Sequence, residues 1–511
     1  MVHRTKSNVA LFCLTVVALA SRLSADWLTF GGDSQRTGWA KNETILNRTN
    51  AATLELKWKI QIDNVPKELT SLATPVVVDQ VKTPRGIKEF VVVAGSSDNV
   101  YAIDADTGKL IWKRTFKITA NPSRTSNTLC PFAVNATPAI DGGRMKTAYV
   151  IASDGVLHAL AVEDGEDRFP PVPFVPAFSK NWSLNLFDGS LYTAIGQRCN
   201  GVASGVYAID LKSPEHMVRS FQAGRPGIWG RAGVAISPSG TIFGESGDGT
   251  FDPDAGEFAD SFLAISAKEM KLTDSYTPLN REWLTRKDLD MGCISPLVFS
   301  FHGKEYLVGG GKEGRLFLLD TRSFGGETHR TPLFRSELFT NEDVNYSGHG
   351  FWGAFATVED AKGTRWIYAP AWGPPHPAAA PLFPMSNGDA PHGSIMAFRV
   401  EMKGEAPVLA PAWISRDLDV PEPPIAANGV VYALSSGEDV QQYRTSTAER
   451  VRGSRKATLH AFDSDTGKEL FASEPLSSFT HFGGLALSNG RIFIATYDGY
   501  VYAFGLKQEE R

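Results

Sequence analysis

The chain has 511 residues, of which 51 are basic and 56 acidic, for a formal net charge of −5 with no long run of either sign. This argues against a nucleic-acid binder, which meets phosphate with a basic patch. Glycine and proline fill 78 positions and aromatic residues 54, a balance that suits short strands and turns and excludes a helical bundle.

At the N-terminus, His3, Arg4 and Lys6 precede an apolar stretch over 9–20, and Ala18-Leu19-Ala20 offers a small-x-small cleavage site, with Ala25 as a second end. A membrane anchor needs about 20 apolar residues, more than this stretch supplies. Residues 1–25 are therefore expected to be a signal peptide, and 26–511 an exported chain, periplasmic or extracellular, folded as one domain. No later stretch is long and apolar enough to span a bilayer.

Leu54, Leu56, Trp58, Ile60 and Ile62 alternate with Glu55, Lys57, Lys59 and Gln61, the pattern of a half-buried strand. A short pattern then recurs eight times: Val100-Tyr-Ala-Ile-Asp104, Leu157-His-Ala-Leu-Ala161, Val206-Tyr-Ala-Ile-Asp210, Phe262-Leu-Ala-Ile-Ser266, Leu316-Phe-Leu-Leu-Asp320, Ile395-Met-Ala-Phe-Arg399, Leu459-His-Ala-Phe-Asp463 and Val501-Tyr-Ala-Phe-Gly505. Successive copies lie between 42 and 79 residues apart, the period of a propeller with about four strands per blade. Two copies continue into Asp-Thr-Gly turns ending at Gly108 and Gly467, where glycine accepts positive φ. Trp112 and Phe471 follow at equal offsets, placed to pack an outer strand on its neighbour. The last copy leaves no sequence for an outer strand, so the strand at 54–62 is expected to complete that blade. The fold expected is all-β, an eight-bladed β-propeller closed by an N-terminal strand, which hides its edges.

Three cysteines follow the leader. Cys130 with Cys199 is the favoured disulfide in an exported chain, with Cys293 unassigned, although three free thiols satisfy the spacing equally. The widest interval holds an insertion at about 371–393, rich in proline and aromatic residues. It is read as an ordered cover over one face, with a plain surface excursion as the alternative.

These repeats resemble those of the pyrroloquinoline quinone (PQQ) propeller superfamily, the quinoprotein alcohol dehydrogenase-like proteins, in which Ala-x-Asp-x-x-Thr-Gly-x-x-x-Trp closes each blade. Asp26-Trp-Leu-Thr-Phe-Gly-Gly-Asp33 with Arg36-Thr-Gly38 is similar to the N-terminal segment of its members, and Gly309-Gly-Gly-Lys-Glu-Gly-Arg-Leu-Phe-Leu-Leu-Asp320 to one of their blade segments. The resemblance implies the fold but two kinds of function, since the superfamily includes quinoprotein dehydrogenases and propellers that only bind partners. A dehydrogenase of this kind would use PQQ with Ca2+ and a carboxylate base. The chain lacks the adjacent cysteines and the haem motif found in many of these enzymes.

Residues near the first strand of each blade should line the central channel. There the candidate ligand-binding residues are Trp229, Arg231, His349, Trp352 and His481, two indoles, two imidazoles and a guanidinium suited to a flat anion. For each residue alone, a structural role in the ring competes with this one. The acidic stretch 244–257 lacks the spacing of a calcium loop and is read as a polar turn, so no metal ligand is assigned. The first reading of function is a propeller that binds a small molecule or protein partner on one face without turnover. The alternative is a PQQ-dependent oxidoreductase acting on an alcohol or polyol, with Trp229 or Trp352 stacked on the quinone, Arg231 on its carboxylates, and Glu245, Asp248 or another acid as base.

Overall fold

The computed structural model describes residues 25–340, 348–441 and 445–507, so the stretch 9–20 and its first cleavage site lie outside the described residues. Alternating apolar residues build eight antiparallel sheets of four or more strands around a central axis. The first blade is typical: Val76–Thr83, Gly86–Gly95, Asn99–Asp104 and Leu110–Thr115, paired in sequence order. Blades two to seven follow at 139–173, 180–222, 235–276, 297–335, 350–414 and 425–472. The eighth takes Ala486–Ser488, Arg491–Ala495 and Tyr500–Leu506 from the C-terminal end and Leu54–Gln61 as its outer strand, antiparallel to Tyr500–Leu506. Each of the eight sequence copies is the third strand of its blade. Among the described residues, no helix is long and apolar enough to cross a membrane.

One contact repeats between blades and explains the motif. The carboxylate of Asp104 accepts from the N–H groups of Asp106 and Thr107 and from the Thr107 hydroxyl, and Asp463 does the same with Asp465 and Thr466. The turn so formed ends on a glycine at φ +69° in both blades. The outer-strand tryptophan of the preceding blade lies over that glycine and donates its indole N–H to a turn carbonyl. Trp58 reaches Ala105 (2.9 Å), Trp112 reaches Val162 (2.8 Å) and Trp413 reaches Ser464 (2.9 Å). A Cβ on Gly108 would sit 2.7 Å from the Trp58 ring, so the aromatic and the glycine require each other. Trp58, on the N-terminal strand, makes this contact between blades eight and one. A register shift between Leu56 and Trp58 breaks the strict alternation of the sequence and leaves Leu56 exposed.

The segment before that strand threads the ring. Backbone carbonyls or N–H groups of Trp27, Leu28, Ser34, Gln35, Thr37 and Gly38 pair with Val77, Ile140, Ile236, Val298, Thr357 and Ala426, the first strands of blades one, two, four, five, six and seven. Glu43 receives the Gly490 N–H of blade eight. In blade three the links run through side chains: the Thr29 hydroxyl donates to the Leu184 carbonyl, the Asn185 amide donates to the Ser34 carbonyl, and Arg36, 1% exposed, donates to the carbonyls of Phe30, Ser183, Leu184 and Val234 and to the Thr29 hydroxyl. These contacts run along the first strands and reach the turn at Gly490 in blade eight, so the segment crosses and plugs the channel that those strands line.

The insertion at 371–393 does not roof the opposite end. Met385–Ser386 adds a parallel strand along the outer edge of blade six beside Trp413–Ile414, and Phe383 packs on Phe339 and Phe398. Burial of these apolar residues draws the middle of the insertion outward, while its ends stay on the cavity face, where Trp372 lines the main cavity and Gly373, Pro391 and His392 line a neighbouring hollow. The Cys130–Cys199 disulfide is formed, and Cys293 is a buried free thiol.

Candidate functional site

A cavity of about 520 Å3 opens at the unplugged end. Its lining comes from connections between successive blades and between second and third strands, which a propeller gathers on one face. Trp229 precedes blade four, and Asp248 follows that blade's second strand, Thr241–Glu245. Asp288 caps the short helix Arg281–Lys287, and Asp290 follows it. Lys312 follows Lys304–Gly310 of blade five, and Trp372 ends the second strand of blade six. His481 and Phe482 precede blade eight.

At one wall, ligand atoms of Asp248, Asp288 and Asp290 lie within 4.8 Å of one another. The Lys312 ammonium donates to Asp290 and to Asp288 Oδ1 (2.9 Å) and the Asp288 carbonyl (3.1 Å), while the Asp248 N–H donates to Asp290 Oδ1 (2.6 Å). Burial alone would raise the Asp290 carboxyl, but Lys312 and these donors outweigh it and hold it at about 2. Burial, then the Asp290 charge, pushes Asp248 up to about 7. Burial also raises Asp288 to about 6 against the pull of Lys312. The set offers several oxygens to a hard cation, with one acid kept ionised.

Aromatic faces complete the walls. Trp229 and Trp352 meet edge to face at 6.0 Å, Trp352 stacks on Trp372 at 4.5 Å, and Lys312 lies 5.5 and 5.3 Å from the rings of Trp229 and Trp352. On the far side, Trp182 and Phe482 flank Lys180. Beside them Glu438 accepts from His481 (2.7 Å) and Arg450 (2.5 Å). Burial would raise Glu438, but His481 and Arg450 keep it low; burial depresses His481 more than Glu438 restores it. Arg198 and Arg225 stand exposed at the mouth. The disulfide sits at the rim, since Thr128 and Leu129 adjoin Cys130, and Gln197 and Arg198 adjoin Cys199.

Trp229, Trp352 and His481 thus line the cavity together. Arg231 lies beneath it: buried, paired with Glu422 and packed 4.3 Å from the Phe482 ring. His349 belongs to a neighbouring hollow of about 290 Å3 with Gly373, His392 and Asp419, and its carbonyl accepts the Trp352 indole N–H. Glu245 is buried inside blade four against Phe262 and Gly309, away from the cavity. Asp248 leaves the stretch read as a polar turn to join two aspartates about 40 residues on. Asp288, Asp290, Lys312, Lys180 and Arg450 escaped the sequence reading. Their one shared signal is position: Asp288, Asp290, Lys312 and Arg450 lie in the same classes of connection as Trp229 and Asp248, and Lys180 lies at the start of a first strand.

Residues 27–186 match the family model described as glucose/ethanol/alcohol dehydrogenase, β-propeller domain. No curated protein matches the chain by sequence. Among solved structures, quinohemoprotein alcohol dehydrogenase from Comamonas testosteroni is 17% identical, with a TM-score of 0.59 over 96% of this chain and 82% of that one. Quinohemoprotein alcohol dehydrogenase ADHIIG from Pseudomonas putida HK5 is 15% identical, with a TM-score of 0.58 over 95% and 81%. A europium-containing methanol dehydrogenase is 13% identical, with a TM-score of 0.61 over 94% and 98%. At these identities the likeness is one of fold.

Proposed function

From a β-propeller fold shared with quinoprotein dehydrogenases, and a match of residues 27–186 to their propeller-domain family model, we propose that the chain is an exported PQQ-dependent dehydrogenase oxidising an alcohol. The observation that carries this reading is the trio Asp248, Asp288 and Asp290 with Lys312 against the Trp229 and Trp352 walls. The donor set fits the group: indole faces suit a planar ring system, Lys180, Arg198 and Arg225 suit its carboxylates, and the three aspartates suit a divalent or trivalent cation. When bound, PQQ supplies the two-electron oxidant that accepts hydride from the carbinol carbon.

The residues of the chain do the rest. Trp229 and Trp352 orient the ring system, and the close-packed aromatic walls restrict water. Asp248 and Asp288, the more open acids, hold the cation. Asp290, fixed by Lys312 and the Asp248 N–H, accepts the alcohol proton at a carboxylate oxygen as general base.

Titrating purified protein with PQQ and Ca2+, or with a lanthanide, should quench tryptophan fluorescence and permit an alcohol to reduce an artificial dye. Asp290→Asn should retain quenching and lose at least about 100-fold in turnover, the scale of a general base. Absence of quenching with every cation would overturn the reading. A second reading, binding without turnover, is favoured by Lys312 itself, whose ammonium already neutralises two of the aspartates. It expects quenching that needs no metal, and no dye reduction.

A further inference from the structure

We propose that Lys180 anchors an anion subsite in the cavity wall, where it takes a carboxylate of the molecule bound there. Lys180 stands on the short strand Lys180–Asn181 and is 4% exposed. It lines the main cavity and also the narrow crevice beneath. Its ammonium lies 5.1 Å from the Trp182 ring and 5.7 Å from that of Phe482. Among the described residues it has no hydrogen-bond or ion-pair partner. The carboxylate beside this region, Glu438, is already engaged by His481 and Arg450.

A buried lysine without a counter-charge is stable mainly as the neutral amine. Burial, and then the nearby Arg450 charge, lower Lys180 to about 7. The groups facing it are Arg450 and Glu438 from the connection after Val430–Ser435, His481 from the loop before blade eight, and Arg231 from the crevice below. With both glutamates of this network, Glu438 and Glu422, paired to arginine, none is free to serve Lys180. An incoming carboxylate supplies the missing charge: the amine takes one proton from solvent, and an ammonium–carboxylate pair forms. Between Trp182 and Phe482 that pair is shielded from water, which strengthens it.

The carboxylate has two sources, the quinone cofactor or an acidic alcohol as substrate. The identity of the ligand rests on the dehydrogenase reading, but the subsite itself does not. Full-length protein is titrated separately with PQQ and with glycolate, by calorimetry in two buffers of different ionisation enthalpy and by tryptophan fluorescence. At pH 8, wild type should take up about one proton per bound anion, and affinity should fall up to tenfold per pH unit above 7. Lys180→Met should lose at least tenfold in affinity together with the proton uptake, whereas Lys180→Arg should keep affinity and lose the pH slope. The ligand whose affinity falls identifies the source.

Should Lys180→Met fail to fold, acylation of Lys180 in wild type, followed by mass spectrometry, replaces it, and either anion should protect the amine. Glycolate binding that depends on Lys180 in a protein that ignores PQQ would sustain the subsite and remove the dehydrogenase reading. Dye reduction with PQQ and Ca2+, unchanged in both cofactor affinity and substrate KM by Lys180→Met, would do the reverse. The subsite is overturned likewise if neither anion protects Lys180.

Discussion

Two buried charges show how single residues set the behaviour of this ring. Arg36 serves carbonyls of Phe30, Ser183, Leu184 and Val234, so truncating it strands several acceptors in the channel plug. Arg36→Met should destabilise the chain by about 2–5 kcal/mol in urea unfolding, the scale of a broken buried charged network; a loss below about 0.5 kcal/mol would show that water serves those carbonyls. Glu422 behaves differently. Burial outweighs its Arg231 partner and lifts its carboxyl from 4.5 to about 7. Between those values the folded chain binds more protons than the unfolded one. Its contribution is therefore complete below about pH 4.5 and is lost as pH rises through 7. From pH 5 to 8 wild type should lose up to about 3 kcal/mol more stability than Glu422→Gln. Parallel curves for the two proteins would remove Glu422 as the titrating group.

At the scale of the element, the unit is an outer strand docked on its neighbour's turn. Gly108 combines φ +69° with a Trp58 ring atom only 2.7 Å from where a Cβ would stand. Gly108→Ala should cost about 1–3 kcal/mol in chemical denaturation, while exposed Lys109→Ala should stay within about 0.5 kcal/mol. Equal effects would mean that the docking tolerates a Cβ. The same logic makes 54–61 indispensable. Deleting these residues should bare the edge of Tyr500–Leu506 and produce aggregation; a soluble variant melting within about 2 °C of wild type would contradict the role of that strand.

For the whole molecule, the decisive property is that the two ends of the channel differ. One is plugged by 27–43, while the other collects the loops that form the cavity, and the Cys130–Cys199 bridge ties two of those loops across a separation of 69 residues. Closing so long a loop stabilises chiefly by restricting the unfolded chain. Replacing both cysteines by serine should lower stability by about 2–4 kcal/mol and weaken ligand quenching, with the far-UV spectrum of the propeller retained. Loss of the whole sheet signal at 25 °C would instead make the bridge a condition of folding.

The repeat determined a great deal by itself. Eight copies of one strand, two Asp-Thr-Gly turns and a detached alternating strand at 54–62 sufficed for the number of blades, the outer-strand packing and the source of the last strand, because each depends on local hydrogen bonding and period-two burial. Trp229, Trp352 and His481 were legible as channel residues for a related reason, since they lie near first strands. Asp248 with Asp288 and Asp290 was not: these acids lie in connections of different length, and only ring closure brings them within 4.8 Å. Arg231 illustrates the converse. Its sequence neighbours marked it as a channel cation and could not name its partner: packing sets it under Phe482, lining the crevice below the cavity, beside Glu422, a carboxylate 191 residues away. The local pattern fixes strands and turns because their bonds join near neighbours, whereas the partner of a buried charge depends on which distant backbone approaches it, and that is decided only when the blades close into a ring.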